Sequence, residues 1–79
     1  RTARHVIANP RVSAIEPGRA TLETIMLLYA ADGVPVLESR PAVMIADVTT
    51  RYVRTATGWS VDSRALRPVF EGGAGAIKA

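Results

Sequence analysis

The side chains best suited to proton transfer in this sequence are His5 and Asp47. His5 is the sole histidine, and an imidazole with an unperturbed pKa of about 6.5 can accept and release a proton near neutral pH. Asp47 lies in the apolar stretch MIADV, where burial would raise the pKa of its carboxyl group and make it a proton carrier. We therefore predict both as catalytic residues. The structural alternatives are an exposed His5 and an Asp47 that pairs across a sheet with an arginine such as Arg64.

Further side chains are candidates for holding a substrate: Asn9, Tyr29, Trp59 and Arg64. The two-residue period of a strand would put Asn9 on the same side as His5, where its amide could orient a substrate oxygen. An Asn before a proline is also typical of a turn or bulge. Tyr29 could donate a hydroxyl into a pocket, or pack across strands. Trp59 fits the large anchor of a hairpin, and Arg64 also suits a cross-strand ion pair.

Composition argues against several other chemistries. The chain has 79 residues, no cysteine and one histidine, which falls short of the usual zinc and calcium ligand sets and leaves no catalytic thiol. The ten Lys and Arg residues are spread singly among few aromatic residues, unlike a nucleic-acid surface. Gly72, Gly73 and Gly75 neither follow a strand nor open a helix as a phosphate loop does. We expect no cofactor, no metal and no nucleic-acid partner.

The chain offers no sequence suited to a membrane. No apolar run approaches the roughly 20 residues of a membrane span, and the start RTARH lacks a signal-peptide core. We expect a cytoplasmic protein with no membrane partner. A chain this short buries only about 60% of the surface that its unfolded form exposes, so we also expect stabilisation by another chain.

Turn signals divide the sequence into β-strands. The first stretch, HVIANPRVSAI, is rich in β-branched residues, and Pro10 predicts a bend or an edge position. The segment EPGR has Pro and Gly where a type II turn needs them. In ATLETIMLLYAA the apolar residues alternate, with Leu22, Met26 and Leu28 on one face and Ile25, Leu27 and Tyr29 on the other. This pattern favours a strand covered on both faces, although the composition also suits a helix. ADGVP then marks a second turn.

The last part of the sequence predicts a hairpin. AVMIADVTTRYVRTA is dense in β-branched residues, Thr57-Gly58 turns the chain, and WSVDSRALRPVF returns. In the returning strand a period of two places Ser60, Asp62 and Arg64 on one face and Trp59, Val61, Ser63 and Ala65 on the other. We predict a mainly β fold, a curved four-stranded antiparallel meander over residues 1–70, followed by a flexible Gly-rich tail over 71–79. Its apolar face should be covered by helices or by a second copy.

These segments resemble the sheet-forming half of SnoaL-like domains of the nuclear transport factor 2-like superfamily. The resemblance rests on HVIANPRV, on ATLETIMLLYAADG and on YVRTATGWSVDSRAL, which is similar to the family pattern R-x-x-x-G-W-x-(I/V)-x-x-R. The pattern falls on Arg54, Gly58, Trp59, Val61 and Arg64. The resemblance implies an α+β cone in which a sheet wraps around N-terminal helices. This chain would supply the sheet half only, as a piece of a longer domain.

The resemblance also implies a function. Such domains convert small, mostly apolar molecules without a cofactor, by acid/base isomerisation, dehydration, cyclisation or hydrolysis. The resemblance places a strand-opening histidine at His5, with Asp47 as its partner or as a second base. The second histidine of dehydratase-like relatives has no counterpart in this sequence. The alternative is a non-catalytic assembly module, similar to the small subunit of aromatic-ring-hydroxylating dioxygenases. The expected partners are a small apolar molecule and further copies of the chain, bound through the sheet face.

Overall fold

The protein folds as a single antiparallel sheet. The computed structural model of the chain describes residues 1–72, and it contains the strands β1 (Thr2–Glu16), β2 (Arg19–Ala31), β3 (Met44–Thr55) and β4 (Gly58–Glu71). Neighbouring strands pair in the order β1-β2-β3-β4. Over these residues the predicted four-stranded antiparallel meander is confirmed, and ATLETIMLLYAA is a strand and not a helix. Apart from Glu71 and Gly72, the predicted Gly-rich tail lies outside the described residues.

Glycines turn the chain in each of the three connections. Between β1 and β2, Gly18 has a φ of 77°, as the third position of a type II turn requires. At the turn from β3 to β4, Gly58, the first residue of β4, has a φ of 135°, and the Thr55 hydroxyl donates to its carbonyl oxygen at 3.0 Å. The connection between β2 and β3 is longer, residues 32–43. Thr2 of the edge strand holds it by donating to the Gly33 carbonyl at 2.9 Å.

A bulge bends β1 at its proline. The pairing of β1 with β2 shifts register between Ala8 and Arg11, and Asn9 within this interval has a φ of 51°. Asn tolerates this left-handed conformation better than most residues do, and Pro10 has no N–H to place in a ladder. The bend predicted at Pro10 is confirmed, and β1 is an edge strand.

A second bulge changes which residues of β4 share a face. The pairing of β4 with β3 skips Asp62, and an extra residue in one strand shifts its side-chain alternation by one. Arg64 therefore lies on the same face as Trp59. The prediction that Arg64 shares a face with Ser60 is wrong for this reason.

The two faces of the sheet differ in composition. One, here called the apolar face, carries the even-numbered residues of β2 and β3. Its centre is buried and consists of Met26, Leu28, Ala46 and Val48. The opposite side, here called the mixed face, carries the odd-numbered residues of β2 and β3, which include charged and apolar side chains.

The sheet forms one layer. Its radius of gyration is 15.6 Å, whereas a compact chain of this length would have about 12 Å. Of the cover expected over both faces of β2, residues 1–72 bury the even-numbered face at Met26 and Leu28 and leave the odd-numbered face partly exposed. No helix in this described part of the chain is long and apolar enough to cross a membrane. The sheet therefore leaves apolar surface open that a second layer covers in most domains.

Candidate functional site

The apolar face is exposed to solvent along its two edge strands, β1 and β4. Within residues 1–72, the two edge strands carry large apolar side chains on this face that have 43–75% of their surface exposed. They are Ile7, Val12, Ile15, Trp59, Val61 and Leu66. Single exposed apolar residues are ordinary on protein surfaces. Several of them on one face, along both edge strands, are instead typical of a binding surface.

Arginines of β3 and β4 lie on this face. The Arg54 guanidinium lies 5.8 Å from the centre of the Trp59 ring, within the range of a cation–π contact. The Arg64 Nε donates to the Thr50 hydroxyl at 3.4 Å. Thr50 is buried, so this bond satisfies a polar atom inside the apolar face.

The structure divides the predicted site residues between the two faces. His5, Trp59 and Arg64 lie on the apolar face, whereas Asn9, Tyr29 and Asp47 line the mixed face or its clefts. His5 pairs with Leu28 and Asp47 pairs with Ile25, so the sheet itself separates the two predicted catalytic side chains. Within one chain they do not meet at the same substrate atom.

The residues on the apolar face do not converge either. His5 lies level with Met44 through their common partner Leu28, and Trp59 pairs with Arg54. Met44 and Arg54 are ten residues apart along β3, which is a distance of about 33 Å in an extended strand. His5 and Trp59 therefore lie near opposite ends of the face.

The surroundings of Asp47 differ from the prediction. Its side chain is exposed, so the burial on which its predicted role as a proton carrier depends is not present. The residue opposite Asp47 is Arg67, because the register puts Arg64 against Thr50. Arg67 donates to the Thr49 hydroxyl at 3.1 Å.

Glu23, which was not among the residues predicted from the sequence, accepts a hydrogen bond at each of its carboxylate oxygens on the mixed face. The Thr49 hydroxyl donates to its Oε1 at 2.6 Å and the Ser13 hydroxyl to its Oε2 at 2.9 Å. These two bonds, together with the charges of Arg11 and Arg67, lower the pKa of the Glu23 carboxyl group against the opposing effect of burial. A lone acid inside TLETIML is the signal that could have pointed to it.

This network predicts an acid-dependent loss of stability. A carboxyl group whose pKa is lowered by folding stabilises the protein above its unfolded pKa of about 4.3, and that contribution is lost as the pH falls through the folded value. As the pH is lowered from 5, the urea midpoint of unfolding should therefore decrease less in Glu23→Gln than in the wild type. Thr49→Val, which removes one of the two bonds, should have the same effect. Glu38→Gln, in the connection between β2 and β3, is the control. An unchanged slope in Glu23→Gln would contradict the assignment.

Clefts open on the mixed face and at one end of the sheet. The end cleft, of about 220 Å³, lies between Arg4, Tyr29 and residues 37–41. A second cleft, here called the polar cleft, has a volume of about 270 Å³. Its lining consists of Asn9, Arg11, Glu23, Thr24, Ile25, Asp47 and Arg67. Tyr29 lines the end cleft, and Asn9 and Asp47 line the polar cleft, whereas His5 lines neither.

Neither metal chemistry nor a known relative assigns the site. Over residues 1–72, no three His, Asp or Glu side chains come together in an arrangement that could hold a metal ion. Comparison of the chain with known protein families, with curated proteins and with solved structures finds no match.

Proposed function

We propose that this chain is an assembly module that pairs face to face with a second copy through its apolar face. The observation that carries the proposal is the row of exposed apolar side chains on both edge strands, on the same face as the buried centre around Met26 and Val48. Two such sheets would stack about 10 Å apart and interdigitate their side chains. The pair would then have the second layer that one sheet lacks.

The size of the sheet supports a second copy as the occupant. Its two long dimensions are 46 and 25 Å, a footprint larger than the roughly 800 Å² per partner that a typical stable interface buries. A two-fold interface uses the same patch on both copies, so a patch with an apolar centre is self-complementary.

The distribution of polar groups on this face agrees with an interface. Stable interfaces are depleted of charged residues at their centre, are enriched in aromatic residues, Met and Arg, and have a polar rim. On this face the buried centre carries no charge, and the exposed Trp59 with the Arg54 guanidinium beside it supplies an aromatic residue and an arginine. The charged network around Glu23 lies on the opposite, mixed face and would stay in water.

Sedimentation equilibrium tests this proposal. The chain has a mass of 8.4 kDa, and we expect twice that mass at low micromolar concentration, with dissociation on further dilution. A single-chain mass that persists up to about a hundred micromolar, far above the dissociation constants of ordinary stable complexes, would overturn the proposal.

A second proposal retains the SnoaL-like activity, cofactor-free acid/base conversion of a small apolar molecule. Its support is that His5 shares the apolar face with exposed apolar side chains such as Ile7, so a pocket enclosed at that end when the face is covered would be mostly apolar. His5 would transfer the proton. Titration of the assembled protein with indole as an apolar probe should then shift the ring signals of His5. Saturable binding that leaves these signals unmoved would remove the basis for a catalytic His5.

A further inference from the structure

The polar cleft lies where β1 departs from regular geometry. Its wall includes Asn9, whose left-handed φ of 51° sits in the register shift between Ala8 and Arg11. Bulges of this kind re-aim side chains and are common beside functional sites, as is a non-glycine residue held in a rarely used conformation. The bulge opens the ladder and leaves room above Thr24 and Ile25.

The polar cleft contains two guanidinium groups and two carboxylates, so its charges balance. The guanidinium groups nevertheless keep hydrogen-bond donors that no group in the cleft uses. Glu23 has both carboxylate oxygens occupied by the hydroxyls of Thr49 and Ser13. Its bonds are to hydroxyls, so the guanidinium groups beside it keep their donors. In the described chain Arg11 donates no side-chain hydrogen bond, and Arg67 uses one of its donors on Thr49.

We infer that the polar cleft binds a small zwitterion, with its carboxylate held by Arg11 and Arg67 and its ammonium group held by Asp47. Guanidinium forks match carboxylates in geometry and form charge-assisted hydrogen bonds. A simple anion fits less well, because the fixed charges of Glu23 and Asp47 repel it. A simple cation is repelled by the two arginines in the same way. The volume of about 270 Å³ is below that of pockets for drug-sized ligands, so the ligand class is that of a short amino acid.

Amide chemical-shift titration of the full chain tests this inference with matched probes. The probes are 4-aminobutyrate, which carries both charges, butyrate, which lacks the ammonium group, and butylamine, which lacks the carboxylate. We expect saturable shifts for 4-aminobutyrate at the residues lining the cleft, with an affinity at least about tenfold above that of either single-charge probe, since each end adds a charge-assisted hydrogen bond. Equal responses to 4-aminobutyrate and butyrate, or no saturable response, would overturn the inference.

Variants separate this site from general charge effects. Arg11→Gln and Asp47→Asn should each lower the affinity for 4-aminobutyrate by about tenfold or more, whereas Arg51→Gln, on the same face but outside the cleft lining, should leave it unchanged. An equal loss in Arg51→Gln would assign the binding to net charge and contradict the site. The cleft is on the mixed face, so this result does not depend on whether the apolar face pairs with a second copy.

Discussion

Replacing Ile7 by Asp is expected to weaken self-association at least about a hundredfold, because it puts an unpaired charge into a desolvated apolar interface. A two-fold interface contains the substitution twice, which increases the effect. Ile7 is 57% exposed in a single chain, so the same substitution should cost the fold of one chain little. Sedimentation of the variant and the wild type at matched concentrations measures the change.

The adjacent residue gives the matched control for this prediction. Val6 is 44% exposed and lies on the mixed face, since it pairs with Leu27 while Ile7 pairs with Met26. Val6→Asp should leave the dissociation constant within a few fold of the wild type. If both variants dissociate equally, the apolar face is not the interface. If neither dissociates, the copies meet through some other surface.

Truncating Leu28 to Ala is expected to destabilise the fold by about 2–5 kcal/mol, the usual cost of removing buried methyl groups and leaving a cavity. Leu28 is fully buried in the described structure, and small domains have only about 5–15 kcal/mol of total stability. The variant should therefore unfold at a much lower urea concentration, or be largely unfolded at 37 °C.

Leu27→Ala is the matched control, with the same change one residue away on the mixed face. Leu27 is only partly buried, and its truncation should shift the urea midpoint clearly less. Both variants must be compared at one protein concentration, because pairing stabilises the folded chain by mass action. Equal losses would contradict the assignment of the structural centre to the apolar face.

The strands and turns were predictable because local rules determine them. Gly18 stands where a type II turn needs a positive φ, and Gly58 ends a tight turn. Alternation in β2 also correctly separated Leu22, Met26 and Leu28 from Ile25, Leu27 and Tyr29. These features depend on neighbours in the sequence, so a single sequence contains the signal.

The arrangement of the site residues was harder to predict, because it depends on bulges. One bulge moved Asn9 away from the side of His5, and another moved Arg64 to the side of Trp59. A shift by one residue exchanges the faces of all positions that follow. The bonds from Thr49 and Ser13 to Glu23 likewise require the register of three strands, which no local pattern specifies.

The most direct test of face-to-face pairing is the solvent accessibility of methyl groups in a paramagnetic relaxation experiment with a soluble gadolinium probe. At concentrations where the chain is paired, we predict that the methyl signals of Ile7, Val12 and Leu66 are protected, whereas that of Val6 is strongly attenuated. On dilution to single chains, the methyl groups of Ile7, Val12 and Leu66 should become as accessible as those of Val6. Equal attenuation of both faces at every concentration would contradict the proposal that the apolar face binds a second copy.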